Sequence, residues 1–180
     1  MNRIAPAFAA ALALFAASAL WADPVSLPLK GFVSSAKADL FGYYMPAHET
    51  RVGKFKLIMV ALGAREDFAE FQAGKNRTGK WAPVMLVFAP LDSQPQPGEE
   101  GGVYWPNSFR VLPSAYRVTN TTIAFVGNDK ALGSVSFNAT IDAAALASEK
   151  KNGAGKTVMA GDLVAGAKSQ HVTFTWFGGD

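Results

Sequence analysis

The chain lacks cysteine altogether and has little histidine and little charge. Its 180 residues include no Cys and two His, and 17% of them are charged. Without cysteine, disulfide bonds, thiolate zinc sites, iron–sulfur clusters and cysteine nucleophiles are all excluded. With 49% hydrophobic residues, the composition is that of a globular protein and excludes a disordered or collagen-like chain.

The N-terminus has the pattern of an export signal. Arg3 precedes an apolar, alanine-rich stretch over Ile4–Leu20, and small residues then offer cleavage after Ala22 or, alternatively, after Ala19. We therefore expect residues 1–22 to be removed as a signal peptide.

The apolar stretch is too short and irregular to favour the alternative, a retained membrane anchor. Pro6 interrupts it, and a comfortable helical span needs about 20 apolar residues. No later segment is long and apolar enough to form such a helix. We expect residues 23–180 to form one β-rich domain, periplasmic or secreted, with no integral membrane segment.

The charge of the expected mature chain is small. Cleavage would remove a single charge, that of Arg3, and would reduce the formal net charge from +3 to +2. Nucleic-acid binding needs a strongly basic face, so no nucleic-acid partner is expected. An exported domain without disulfides suits a bacterial periplasm better than an animal extracellular space.

The C-terminal third gives the clearest secondary-structure pattern. Apolar and polar residues alternate over Ser134–Ile141 and again over His171–Phe177, which predicts two half-buried strands. Asp142 is a good N-cap for a short helix over Ala143–Lys151, which Asn152-Gly153 would end.

The rest of the chain also favours strands. Further strands are predicted at Val52–Leu62, Trp81–Ala89, Tyr116–Val126 (one strand, or two joined at Asn120) and Lys156–Val164, with weaker patterns at Val25–Leu29, Ala36–Tyr44 and Val103–Val111. Arg65–Ala73 favours one or two helical turns, and Asp92–Gly102 a Pro/Gly-rich loop. The fold class is therefore all-β: a single-domain β-sandwich of about eight or nine mainly antiparallel strands with one or two short helices, or alternatively a closed β-barrel.

Catalytic and metal-binding patterns are scarce. A Ser-His-Asp triad would need His48 or His171, and neither accompanies a Gly-x-Ser-x-Gly sequence. Met45 lies three residues before His48, a thioether and imidazole pair that suits copper. A hydrolase or a periplasmic copper-binding protein that uses His48 is thus the alternative function. The remaining strand methionines, at positions 59, 85 and 159, are expected to fill the core.

One segment resembles a phosphate loop but does not match the full motif. Gly153–Thr157 ends like that motif, but Lys150 occupies the place of its first glycine and a strand pattern follows. We expect no cofactor and no metal, and the main hypothesis is not an enzyme.

Aromatic residues cluster in the less regular segments, where they are expected to serve core packing or, as the alternative, a binding surface. Neighbouring side chains of an extended chain point to opposite faces, and Pro106 argues against a doubly buried strand, so either Tyr104 or Trp105 should be accessible. The candidate binding residues are Tyr104, Trp105, Arg110, Tyr44 and His48. The sequence thus predicts an exported, non-catalytic binding or accessory protein of the bacterial cell envelope, with an envelope protein or glycan as its partner.

Overall fold

The computed structural model describes residues 29–98 and 102–179. The expected signal peptide, nearly all of the predicted strand Val25–Leu29 and the acidic pair Glu99-Glu100 lie outside these residues. The strands are β1 (Phe32–Ser34), β2 (Gly42–Pro46), β3 (Thr50–Val52), β4 (Phe55–Leu62), β5 (Val84–Pro90), β6 (Gln96–Pro97), β7 (Val103–Tyr104), β8 (Phe109–Val111), β9 (Pro113–Val118), β10 (Thr122–Asp129), β11 (Gly133–Ile141), β12 (Thr157–Ala165) and β13 (Lys168–Phe177). The helices are α1 (Arg65–Gln72) and α2 (Ala143–Asn152).

One large sheet holds eleven of these strands. Its order is β1-β9-β10-β11-β12-β13-β2-β4-β5-β8, and β3 pairs with β4 beside this path. All neighbours are antiparallel except β1 and β9, which are parallel, and β6 with β7 forms a separate two-stranded sheet. The predicted all-β class is confirmed.

The large sheet is curled, because β8, at one end of the strand order, is followed directly in the chain by β9, which lies next to the other end. β8 pairs with β5 and β9 pairs with β10, although only Leu112 separates β8 from β9. Gly127 allows the close approach at this bend, since a Cβ there would lie 2.5 Å from the Leu112 carbonyl oxygen. A large curled sheet with a small second sheet is compatible with the predicted all-β single-domain fold.

Side chains fill the interior of the curled sheet. Tyr44, Val60, Leu86 and Val111 form one inward row across β2, β4, β5 and β8, and all four are buried. On the far side, the fully buried rings of Phe137 and Phe174 meet edge to face with their centroids 5.5 Å apart. The predicted alternation along β11 is confirmed, because Val135, Phe137, Ala139 and Ile141 are all buried.

Both helices connect strands at the same end of the sheet. α1 leads from β4 to β5, and its buried Phe68 and Phe71 pack against the rings of Phe32 and Tyr116. In α2 the predicted capping is confirmed, because the Asp142 carboxylate accepts from two backbone amides of the first turn and Gly153 ends the helix at φ 59°. Neither helix of the described residues is long and apolar enough to cross a membrane.

Several of the predicted strands differ from those in the structure. Val52–Leu62 contains the turn Gly53-Lys54 between β3 and β4, and Trp81–Ala89 becomes a strand only from Val84. Tyr116–Val126 is two strands that turn at Asn120, the second of the predicted alternatives. Most of Ala36–Tyr44 is not a strand, because the amides of Lys37 and Ala38 donate to the Asn120 side chain rather than to a neighbouring strand. Val103–Val111 is broken in the middle, where Pro106 lacks an amide donor and Asn107 adopts φ 57°.

Candidate functional site

A buried lysine, Lys56, contacts the connection between β5 and β8 (residues 91–108) and holds it against the outer face of the sheet. Lys56 pairs with Ala89 on β5 and is only 7% exposed. Its Nζ donates to the carbonyl oxygens of Leu91 (3.2 Å) and Ser93 (2.8 Å). The same ammonium lies 4.5 Å from the centroid of the Trp105 ring. These contacts, which we call the Lys56 clamp, satisfy a buried charge with two acceptors and an aromatic face.

The clamp leaves two large side chains of the same connection exposed. Val103 and Tyr104, on β7, are 65% and 50% exposed, and the Tyr104 hydroxyl donates to Gln96 Oε1 on the paired strand β6 (2.7 Å). Tyr104 and Trp105 thus lie in different environments, one open to solvent and the other partly buried. A depression beside them is lined by Pro90, Asp92, Ser93, Gln94, Gln96, Pro106 and Asn107.

Arg110 stands at the end of an apolar row on the outer face. It is exposed on β8 and pairs with Val87 on β5, which in turn pairs with Met59 on β4. These residues alternate with the buried inward row, so they face outward. Met45 follows the inward-facing Tyr44 and lies on the same outer face.

The outer surface of the sheet has two contrasting halves. The outward residues of β2, β4 and β5 include Tyr43, Met45, Met59, Ala61, Met85 and Val87, of which Ala61 and Met85 are buried, whereas those of β11 to β13 include Ser134, Ser136, Asn138, Thr140, Asp162, His171 and Thr173. Of the three methionines expected in the core, Met85 and Met159 are buried in it, whereas Met59 is only partly buried. A continuous apolar strand shows no alternation that would reveal the face of each methionine.

Tyr44 belongs to the core and not to this surface. The side chain is fully buried, and its hydroxyl donates to the Leu40 carbonyl oxygen (2.9 Å). Burial, reinforced by the negative charge of Asp39, raises the pKa of the Tyr44 phenol. A partner cannot contact Tyr44 in this structure.

The two histidines are not brought together by any contact among the described residues. His48 is exposed between β2 and β3, where its imidazole makes no hydrogen bond or ion pair to the described part of the chain. His171 Nδ1 lies 2.9 Å from Asp162 Oδ1 on the polar outer face, and both side chains are exposed. Within residues 29–98 and 102–179, no group of three or more His, Asp or Glu side chains could hold a metal ion.

Sequence reasoning missed Lys56, the residue that positions the candidate surface. Its alternation with apolar neighbours at the start of β4 is the pattern of a solvated lysine. It is buried because the loop that contains Leu91 and Ser93 packs against it. Comparisons of the chain with protein-family models, with curated proteins and with solved structures found no match.

Replacing Lys56 by Met should release the β5–β8 connection. The methionine keeps most of the side-chain volume but leaves two carbonyl oxygens without their donor, at an expected cost of about 1–2 kcal/mol in unfolding free energy. Limited chymotrypsin digestion, followed by mass spectrometry, should show faster cleavage after Tyr104; the bond after Trp105 is protected by Pro106. Lys54→Met, in the exposed turn before β4, is the control and should be cleaved like the wild type. Equal cleavage rates in all three proteins would contradict the clamp.

Proposed function

We propose that this chain is an exported, non-catalytic binding or accessory protein of the bacterial cell envelope, and that its partner is a protein. The leader pattern of residues 1–22 supports export. The single observation that carries the binding proposal is the Lys56 clamp, which fixes a connection whose Val103 and Tyr104 remain exposed. A preformed contact surface loses little conformational entropy when it binds.

The composition of the surface favours a protein partner. Aromatic residues, methionine and arginine are enriched at protein interfaces, and this surface combines Tyr104, Met59 and Arg110. The clamp and the apolar row are continuous, because Ala89 beneath the clamp and Val87 in the row are two residues apart on β5 and so about 7 Å apart. The alternative, a hydrolase or copper protein that uses His48, has no supporting contact among the described residues.

Retention of a partner should depend on Tyr104. The full chain, expressed with its own leader, is isolated from a periplasmic extract, where its mass should place the N-terminus at Asp23. After chemical cross-linking, Tyr104→Ala should lose a discrete protein partner that the wild type retains, while its melting temperature stays within about 2 °C because the ring is exposed. Phe41→Ala, which removes another exposed aromatic ring outside the connection, should retain the partner.

Two results would count against this proposal. Retention that is equal in the wild type and in Tyr104→Ala would show that the exposed ring is not a contact. An unprocessed N-terminus in the isolated protein would remove the argument for export, whatever the result of the binding experiment.

A further inference from the structure

A second depression lies between α1 and the segment that leads into β5. Its lining residues are Asp67, Asn76, Thr78 and Trp81. It is separate from the surface proposed above, because α1 precedes β5 in the chain and the clamped connection follows it, which places the two at opposite ends of that strand. The lining combines one aromatic ring with a carboxylate, an amide and a hydroxyl.

The aromatic ring is held in place by the core. Trp81 is partly buried, and its ring packs edge to face against Phe71 of α1, with centroids 6.3 Å apart and an interplanar angle of 71°. Phe71 is itself buried. The ring is therefore a fixed part of the lining, rather than a mobile surface side chain.

The side chains of Asp67 and Asn76 are each oriented by one hydrogen bond, and each has an oxygen atom that can still accept another. Asp67 Oδ2 accepts from the Ala64 amide (2.7 Å), and Asn76 Nδ2 donates to Glu70 Oε2 (2.7 Å). The other oxygens, Asp67 Oδ1 and Asn76 Oδ1, make no hydrogen bond to the described residues. Asn76 adopts φ 56°, a conformation that asparagine tolerates better than most residues.

The segment that carries Asn76 and Thr78 is tied to the end of α1. Arg77 Nε donates to the Phe71 carbonyl oxygen (2.9 Å), and its Nη2 donates to that of Gln72 (3.2 Å). The Arg77 guanidinium also lies over the rings of Phe32 and Phe71. These contacts fix the lining before any ligand arrives, which reduces the entropy lost on binding.

We propose that this depression binds a neutral saccharide. The apolar C–H face of a sugar ring can stack on Trp81, while its hydroxyl groups donate to the free acceptors of Asp67 and Asn76. Thr78 can donate or accept a further hydrogen bond. The Asp67 carboxylate would repel an anionic sugar, which favours a neutral saccharide over an acidic one. A few fixed polar groups around an apolar contact are what orient a small ligand in its site.

The proposal can be tested with three neutral oligosaccharides: cellohexaose, chitohexaose and maltohexaose. Each is titrated into the mature protein while the indole N–H signal of Trp81, assigned through Trp81→Phe, is followed by NMR. At least one should shift this signal saturably, and Trp81→Ala should lower the affinity at least about tenfold. Asn76→Gly, which keeps the backbone conformation but removes the amide, and Thr78→Ala should each weaken binding about three- to tenfold.

Trp105→Phe serves as the control and should bind the same sugar with unchanged affinity, as should Tyr104→Ala. The test is thereby independent of the protein-binding proposal. No saturable shift with any of the three sugars up to ~10 mM, a limit that corresponds to a binding free energy weaker than about −3 kcal/mol, would overturn the saccharide proposal. Undiminished binding by both Asn76→Gly and Thr78→Ala would overturn it too, even if Trp81→Ala failed to fold.

Discussion

Phe137→Ala should lower the free energy of unfolding by about 3–5 kcal/mol. The ring is fully buried in the middle of β11 and meets Phe174 of β13 edge to face across the interior. Truncation removes its transfer free energy and leaves a cavity between strands whose backbones are fixed by hydrogen bonds on both sides. Urea unfolding followed by circular dichroism measures the change.

Thr140→Ala is the matched control on the same strand. Thr140 is exposed on the polar outer face, so its replacement should change the unfolding free energy by no more than about 0.5 kcal/mol. Equal losses in the two variants, or a larger loss in Thr140→Ala, would show that the inward and outward faces of β11 have been assigned wrongly.

Local patterns were enough to predict the elements of the C-terminal third. β11 has one buried face and one solvated face, so its hydrophobic alternation reports the fold directly. α2 begins and ends at residues whose capping preferences are strong, Asp142 and Gly153. In each case the interaction that defines the element lies within a few residues of it, and the sequence contains that information.

Features that depend on distant contacts could not be predicted in this way. The curl of the sheet depends on a bend at Leu112, where the chain passes from pairing with β5 to pairing with β10. The burial of Lys56 depends on the carbonyl groups of Leu91 and Ser93, which lie more than 30 residues later in the chain. No local pattern distinguishes such a lysine from a solvated one.

The candidate site was predicted in part for the same reason. Different environments for Tyr104 and Trp105 could be expected, because they follow from strand geometry and from Pro106. Tyr44 was grouped with them, yet it lies on the inward face of β2, whose wholly apolar surroundings gave no alternation to indicate its direction. Trp81 was read only as part of a strand, although the structure places it before β5 and beside α1.

Two buried tyrosines should respond in opposite ways to the loss of their hydroxyl groups. At pH 7, Tyr44→Phe should cost about 1 kcal/mol, because the Leu40 carbonyl oxygen loses its donor. The Tyr116 hydroxyl is buried without a hydrogen-bond partner among the described residues, so Tyr116→Phe should be neutral or slightly stabilising at the same pH. Urea unfolding of the two variants gives both differences.

The Tyr116 variant should also change the dependence of stability on pH. Burial raises the pKa of Tyr116 to about 12, although the nearby positive charge of Arg77 acts to lower it, whereas the unfolded chain titrates near 10. Between these values the unfolded state releases a proton that the folded state keeps, so unfolding becomes easier as the pH rises, by about 1.4 kcal/mol per pH unit. The wild type should therefore lose about 2 kcal/mol more than Tyr116→Phe between pH 10 and 12. Parallel stability curves for the two proteins over this range would mean that the phenol reaches solvent in the folded state and that the aromatic packing beneath α1 opens to admit water.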